Sequence, residues 1–168
     1  MLNIGLFYSF RSQKTRKIAE RIEEYFGAGH LEAVDAETVT PEDFMRFDRF
    51  ILGVPTWFDG ELPIYWDEFL PALKELDLTG KKFAIFGLGD QKGYPENFGD
   101  AVGIMSDILV GRNGAVVGET SSEGYTFESS RALKNGKFNG LILDQENQPR
   151  LTENRIREWV DQLKTVLL

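Results

Sequence analysis

A chain of 168 residues, 42% apolar and 27% charged, has the size and composition of one globular domain, here residues 1–168. It has no cysteine, which excludes disulfides, thiolate metal sites, cysteine-held iron–sulfur clusters and cysteine nucleophiles, and suits a reducing compartment. A formal net charge of −8 argues against nucleic acid as a partner, because phosphates are repelled.

The opening "MLNIGLFYSF" has no basic segment before its apolar stretch, so it does not read as a signal peptide. No apolar run approaches the roughly 18 residues of a membrane span. A soluble, cytoplasmic protein is expected. "LNIGLFY" (2–8) reads as a buried strand and "TRKIAERIEEYF" (15–26) as a helix with Ile18, Ile22 and Tyr25 or Phe26 on one face. "HLEAVDA" (30–36) is a weaker second strand. Thr40 caps a short helix with Pro41 at its first position. "RFILGVP" (49–55) is the third strand. "PIYWDEFLPALKEL" (63–76) is helical, with Pro71 making its middle irregular. "KKFAIFGLG" (81–89) is the fourth strand, and a long helix follows over 97–112. "AVVGET" (115–120) is the fifth strand. A polar stretch, the apolar run "GLILD" (140–144) and an amphipathic helix over 152–167 close the chain. Strands alternating with helices predict an α/β fold: a three-layer, doubly wound, five-stranded parallel sheet in the order 2-1-3-4-5. Ligands then bind at the carboxyl ends of the strands.

Four loops lie at that end. "SFRSQKTR" (9–16) precedes a helix, whose free N–H groups attract phosphate. Ser9, Ser12 and Thr15 add hydroxyls, and Arg11, Lys14, Arg16 and Lys17 add four cations in an otherwise acidic protein. It is not a P-loop, having neither flanking glycines nor a Gly-Lys-Ser/Thr end. "PTWFDGEL" (55–62) presents Trp57 and Phe58, which either pack on a neighbouring loop or stack on a flat ligand. "GLGDQKGYPENFGD" (87–100) spaces its glycines one residue too widely for a dinucleotide fingerprint, and carries Tyr94 and Asp90. "LDQENQ" brings Asp144, Glu146 and Asn147 to the same end. The lone histidine, His30, begins a strand far from these loops and reads as structural or surface.

Together, "NIGLFY", "TRKIAE", "ILGVPTW", "GELP", "FGLGDQKGYPENFGDA", "GKFNGLILDQENQ" and "RIREWVDQLK" resemble, in order and spacing, the flavodoxins, small electron carriers that hold FMN non-covalently. The stretch between "AVVGET" and "GLILD" resembles the loop that splits the last strand of long-chain members. The resemblance implies that Trp57 and Tyr94 stack on the two faces of the isoalloxazine. Thr56, Phe58, Asp59 and Gly60 would lie beside its N5 edge, and Gly89, Asp90, Asn97 and Asp100 along its pyrimidine edge. Glu146 would lie near the ribityl chain, with residues 10–15 (Phe10, Arg11, Ser12, Gln13, Lys14 and Thr15) at the phosphate.

That loop departs from the family's Ser/Thr-x-Thr-Gly-x-Thr: Phe10 replaces a hydroxyl and Gln13 replaces the glycine. If the glycine serves a positive φ, Gln13 costs about 1 kcal/mol or more. Charge-assisted bonds from Arg11 and Lys14 would then offset the loss and make FMN affinity fall with salt. In the second loop the family flips a peptide with redox state, and Phe58 disfavours positive φ. This implies weak stabilisation of the half-reduced flavin. The resemblance further implies a low-potential one-electron carrier rather than an enzyme, and a monomer. Acidic loops (Asp59, Glu61, Asp67, Glu68, Glu96 and Asp100) would dock on redox partners such as ferredoxin–NADP reductase, photosystem I, nitrogenase reductase or pyruvate oxidoreductase. Two other readings stand: a flavin-dependent NAD(P)H or quinone reductase, and a divergent module with weak or altered flavin binding.

Overall fold

In the computed structural model, which describes residues 4–168, the first apolar run forms β1 (Ile4–Tyr8), buried at every position. Leu2 and Asn3, which begin the expected strand, lie outside the described residues. A run buried on both faces is what a central parallel strand requires. After α1 (Gln13–Phe26), β1 pairs in parallel with β2 (Leu31–Asp35) on one side and β3 (Arg49–Gly53) on the other. Between β2 and β3 sits α2 (Pro41–Met45). Thr40 and Asp43 close a capping box there, with Pro41 in the first turn as expected.

Helix α3 (Ile64–Leu73) runs through Pro71 and stops two residues later, so the proline disturbs only the last turn. Its Trp66 indole N–H donates to the Gly53 carbonyl at 2.9 Å, fixing the helix over the end of β3. Next come β4 (Lys82–Leu88), paired with β3, and α4 (Asp100–Gly111). Helix α4 starts three residues later than expected. The residue before it, Gly99, sits at φ 62 and has no side chain to cap with. Thr56 Oγ1, from another loop, accepts the Ala101 N–H at 3.1 Å instead.

The outer side of β4 is filled twice. β5 (Ala115–Val117) pairs with Lys82–Ala84. The chain then breaks at Gly118 (φ 87), a conformation that glycine reaches without strain, so the expected strand over 115–120 ends at Val117. A small antiparallel sheet follows, built of β6 (Thr120–Ser121), β7 (Leu133–Lys134) and β8 (Lys137–Phe138) in the order 6-8-7. β9 (Leu141–Leu143) returns to pair with Phe86–Leu88. The main sheet therefore has the order 2-1-3-4-5 with its last place split by an insertion, as expected. Helix α5 (Thr152–Leu167) closes the fold, burying Ile156, Trp159, Val160 and Leu163.

Alternate strand residues feed two cores. Phe7, Phe50 and Phe83 pack with Phe44, Trp66 and Met105 on the side of α2, α3 and α4. Leu6, Ile51 and Phe86 pack with Ile18, Ile22 and Trp159 on the side of α1 and α5. Among the described residues no helix is long and apolar enough to cross a membrane.

The seam between α1 and α5 opens into a concavity of about 920 Å³ that no aromatic ring lines. Its strongest ion pairs centre on Arg21. Arg21 grips Glu153 with two bonds, at 2.7 and 2.8 Å, and Tyr25 Oη donates to the same carboxylate at 2.5 Å. The Arg21 bonds, with help from Tyr25, hold the Glu153 carboxyl down at about 2. A carboxylate favoured by the folded state stabilises it above the unfolded pKa and ceases to do so as pH falls through the folded one. Wild type should therefore lose thermal stability more steeply than Glu153→Gln between about pH 4.5 and pH 2. Parallel pH profiles of the two melting midpoints would contradict this role.

Candidate functional site

The carboxyl ends of the strands surround a cavity of about 520 Å³, a volume typical of small-molecule sites. The start of α1 forms one wall, with Ser12, Gln13, Lys14 and Thr15. Ser12 is extended (φ −83, ψ 106) and the helix begins at Gln13. The N–H groups of Gln13, Lys14 and Thr15 thus belong to the first turn, where no intrahelical carbonyl is available. Ser12 makes no capping bond with its side chain. Thr15 Oγ1 is buried without a hydrogen-bond partner among the described residues. An orphaned hydroxyl beside free N–H groups is costly unless something with acceptor oxygens completes it.

The back of this loop is braced by carboxylates. Ser9 Oγ donates to Glu37 at 2.6 Å, and the Phe10 N–H donates to Asp35 at 3.2 Å. At the opening, Lys14 Nζ reaches Glu146 Oε1 at 2.9 Å, with both side chains exposed. Gln145 and Glu146 form the facing wall.

The second loop contributes Pro55, Thr56, Trp57 and Phe58. Trp57 and Glu61 exchange backbone hydrogen bonds, both 2.8 Å, which closes a tight turn over 57–61. The turn needs positive φ at Phe58 (49) and Gly60 (90). The Trp57 ring meets Tyr65 edge to face at 5.8 Å.

The third loop supplies Gly89, Asp90, Tyr94, Asn97 and Gly99. Asp90 Oδ1 accepts the N–H groups of Gly93 (2.8 Å) and Lys92 (3.2 Å), and Asn147 Nδ2 (2.8 Å). Those bonds, the Gly93 amide foremost, hold its carboxyl below the usual range. The Tyr94 N–H donates to the Asp90 carbonyl at 2.9 Å, and the ring stands 47% exposed at the cavity. Position 89 must be glycine, since a Cβ there would lie 2.7 Å from the Phe98 ring.

The flavodoxin family model matches residues 6–159 of this chain. The chain belongs to the flavodoxin family. It is 47% identical over 167 residues to the flavodoxin of Trichodesmium erythraeum, covering 98% of each chain. To that of Synechocystis sp. it is 44% identical over 168 residues, covering 99% of each. It is similar in structure to Fusobacterium nucleatum flavodoxin bound to flavin mononucleotide, with a TM-score of 0.94, 36% identity and complete coverage of both chains.

The structure gathers most of the residues singled out by the flavodoxin resemblance, but five stand back from the cavity. Phe10 turns its ring onto Tyr8, 5.0 Å away, because an aromatic there gains more from packing than from a polar wall. Arg11 points into solvent outside the lining. Asp59 is exposed on the turn. Gly60 is buried beside Asp100, whose Oδ2 would lie 2.6 Å from a Cβ there. Asp100 is buried, accepting the Arg131 N–H at 2.8 Å and Asn97 Nδ2 at 3.2 Å, and so also leaves the acidic rim. Ser9 spends its hydroxyl on Glu37 and is unavailable to a ligand. Pro55, Leu88, Gly99 and Gln145 join the lining without having been singled out. They are sequence neighbours of residues that were, which is the only signal they carry.

Backbone strain falls where the sequence pattern did not put it. Gln13 is not among the positive-φ residues and Phe58 is. Gln13→Gly should therefore destabilise the protein, by about 0.5–1 kcal/mol. Phe58→Gly should stabilise it by about 0.5–1 kcal/mol by relieving the left-handed penalty. Denaturant titrations of the two variants check the signs. A stabilising Gln13→Gly would show that position 13 is the strained one.

Proposed function

We propose that this chain is a one-electron carrier that works through non-covalently bound FMN in the 520 Å³ cavity, acting as a single domain and a monomer. The observation that carries the reading is the conjunction, in one cavity, of an unsatisfied anion receptor at the start of α1 and two aromatic residues, Trp57 and Tyr94. The FMN held by the Fusobacterium relative, whose fold is the same along its whole length, supports it.

The residues present fit the group. The Gln13, Lys14 and Thr15 N–H groups and the Ser12 and Thr15 hydroxyls would hold the phosphate. Trp57 and Tyr94 would hold the ring, and Asp90 and Asn97, which line the same cavity, would read its polar edge. Bound flavin supplies the one-electron chemistry, and the protein sets where it sits and how easily it is reduced. Carboxylates at and around the cavity, Asp90 and Glu146 among them, disfavour added negative charge on the ring and so favour a low potential. No side chain is required as a catalytic acid or base, which fits a carrier rather than an enzyme. Exposed Asp59, Glu61, Asp67, Glu68 and Glu96 offer an acidic rim to basic faces of redox partners. Ferredoxin–NADP reductase, photosystem I, nitrogenase reductase and pyruvate oxidoreductase are the classes to test.

The phosphate grip would be mainly neutral. Lys14 is already paired with Glu146 and Arg11 stands outside the cavity, so neither cation is held ready for phosphate. Purified protein should carry one FMN, identified by absorbance and mass spectrometry, and should not oxidise NADPH directly. Protein that neither retains nor rebinds FMN would overturn the reading. Thr15→Val should weaken FMN by about tenfold or more, since it removes a charge-assisted bond worth roughly 1.5–3 kcal/mol. Raising salt from about 0.05 to 0.5 M should weaken it much less than that. A salt effect larger than the Thr15→Val effect would return the grip to Arg11 and Lys14.

A further inference from the structure

Asp144 follows β9 directly and is fully buried. Its Oδ2 accepts the Gln91 backbone N–H at 3.0 Å and Gln91 Nε2 at 2.7 Å. Its Oδ1 accepts the Asn147 N–H at 2.9 Å, and Asn147 Nδ2 reaches both oxygens, at 3.1 and 2.9 Å. A buried carboxylate is tolerable only when its oxygens are satisfied in this way. The donors come from two separate segments. Gln91 lies in the loop that carries Tyr94, and Asn147 adjoins Glu146.

The network continues from there. Asn147 Nδ2 also donates to Asp90 Oδ1 at 2.8 Å, and the Asp90 carbonyl holds the Tyr94 N–H. Gln91 Oε1 accepts the Thr126 N–H at 2.5 Å, which ties the insertion to the same loop. The pairing of β9 with β4 needs none of these bonds. Tyr94, half-exposed, takes its place from the backbone of its loop.

We infer that Asp144 is the positioning residue of the cofactor slot. One buried charge fixes the Tyr94 loop to the Glu146 loop, and so sets the angle at which Tyr94 meets a flat ligand. This inference rests on the FMN reading above. It concerns a side chain that stands outside the cavity lining.

Asp144→Asn keeps the shape but places an amide NH2 against the N–H groups of Gln91 or Asn147. Gln91→Ala removes a single donor and the link to Thr126, so it remains informative if Asp144→Asn fails to fold. Both variants, saturated with FMN, should show a changed visible circular dichroism band and less complete quenching of flavin fluorescence. Their FMN affinity should fall by about tenfold for Asp144→Asn and less for Gln91→Ala. A purely structural role would lower the melting midpoint and leave the spectra of the bound flavin untouched, and that result would overturn the inference. If wild type itself binds no FMN, the functional reading fails. If wild type binds FMN and both variants give its spectra, only the role of Asp144 fails.

Discussion

The outer edge of β4 accepts two pieces of chain, and the rest of the site depends on the second. β9 sets Leu141 against Phe86 and Leu143 against Leu88. The Gly89 N–H continues the ladder by donating to the Leu143 carbonyl at 2.9 Å. The residue after Leu143 is therefore delivered beneath the 89–94 loop, and the next few reach the start of α1. A one-residue slip would exchange the two core-facing sides of β9 and carry Asp144 out of its buried position. Ile142 packs in one core and Leu141 and Leu143 in the other, so each side chain of β9 has its own place. Sheet register, rather than any local motif, brings the aromatic loops, the carboxylates and the start of α1 to one cavity.

The α1 end and the Trp57 end of the cavity are built on different principles. At the α1 start the N–H groups of Gln13, Lys14 and Thr15 are already in helical geometry, so an anion there would require little rearrangement. Replacing the family's glycine by Gln13 costs little there, because residue 13 is helical. At the Trp57 end the chain does carry strain. Phe58 sits at φ 49 beside Trp57, in a turn closed by two backbone hydrogen bonds. The left-handed conformation of a non-glycine residue costs about 1–2 kcal/mol, comparable to the net value of those two bonds. That turn is the element of the cavity whose conformation is most evenly balanced.

Much of the fold was legible in the sequence because its signals are periodic. Apolar runs with turn residues between them located every strand of the main sheet, and the helical spacing of Ile156, Trp159, Val160 and Leu163 located α5. Their ends moved by a few residues where local chemistry intervened, as at Gly99 and Gly118. In the site, Trp57 and Tyr94 were legible as aromatics in strand-end loops, and the choice between packing and a ligand came from the family resemblance. Directions of loop side chains were not. Phe10, Arg11 and Asp100 share loops with residues that line the cavity, yet packing on Tyr8, solvent and the Arg131 amide took them elsewhere. Asp144 was visible only as one more acidic residue near the strand ends. Its burial follows from a register that no pattern of charges records.

The proposed FMN site depends on a phosphate grip made by the first turn of α1 together with the Ser12 and Thr15 hydroxyls. Its most direct measurement is the affinity of the apoprotein for FMN compared with riboflavin, which shares the ring and ribityl chain but lacks the phosphate. Two or more charge-assisted bonds predict that FMN binds about 100-fold or more tightly than riboflavin. Equal affinities would mean that the ring is held and the phosphate merely tolerated, and would contradict such a grip.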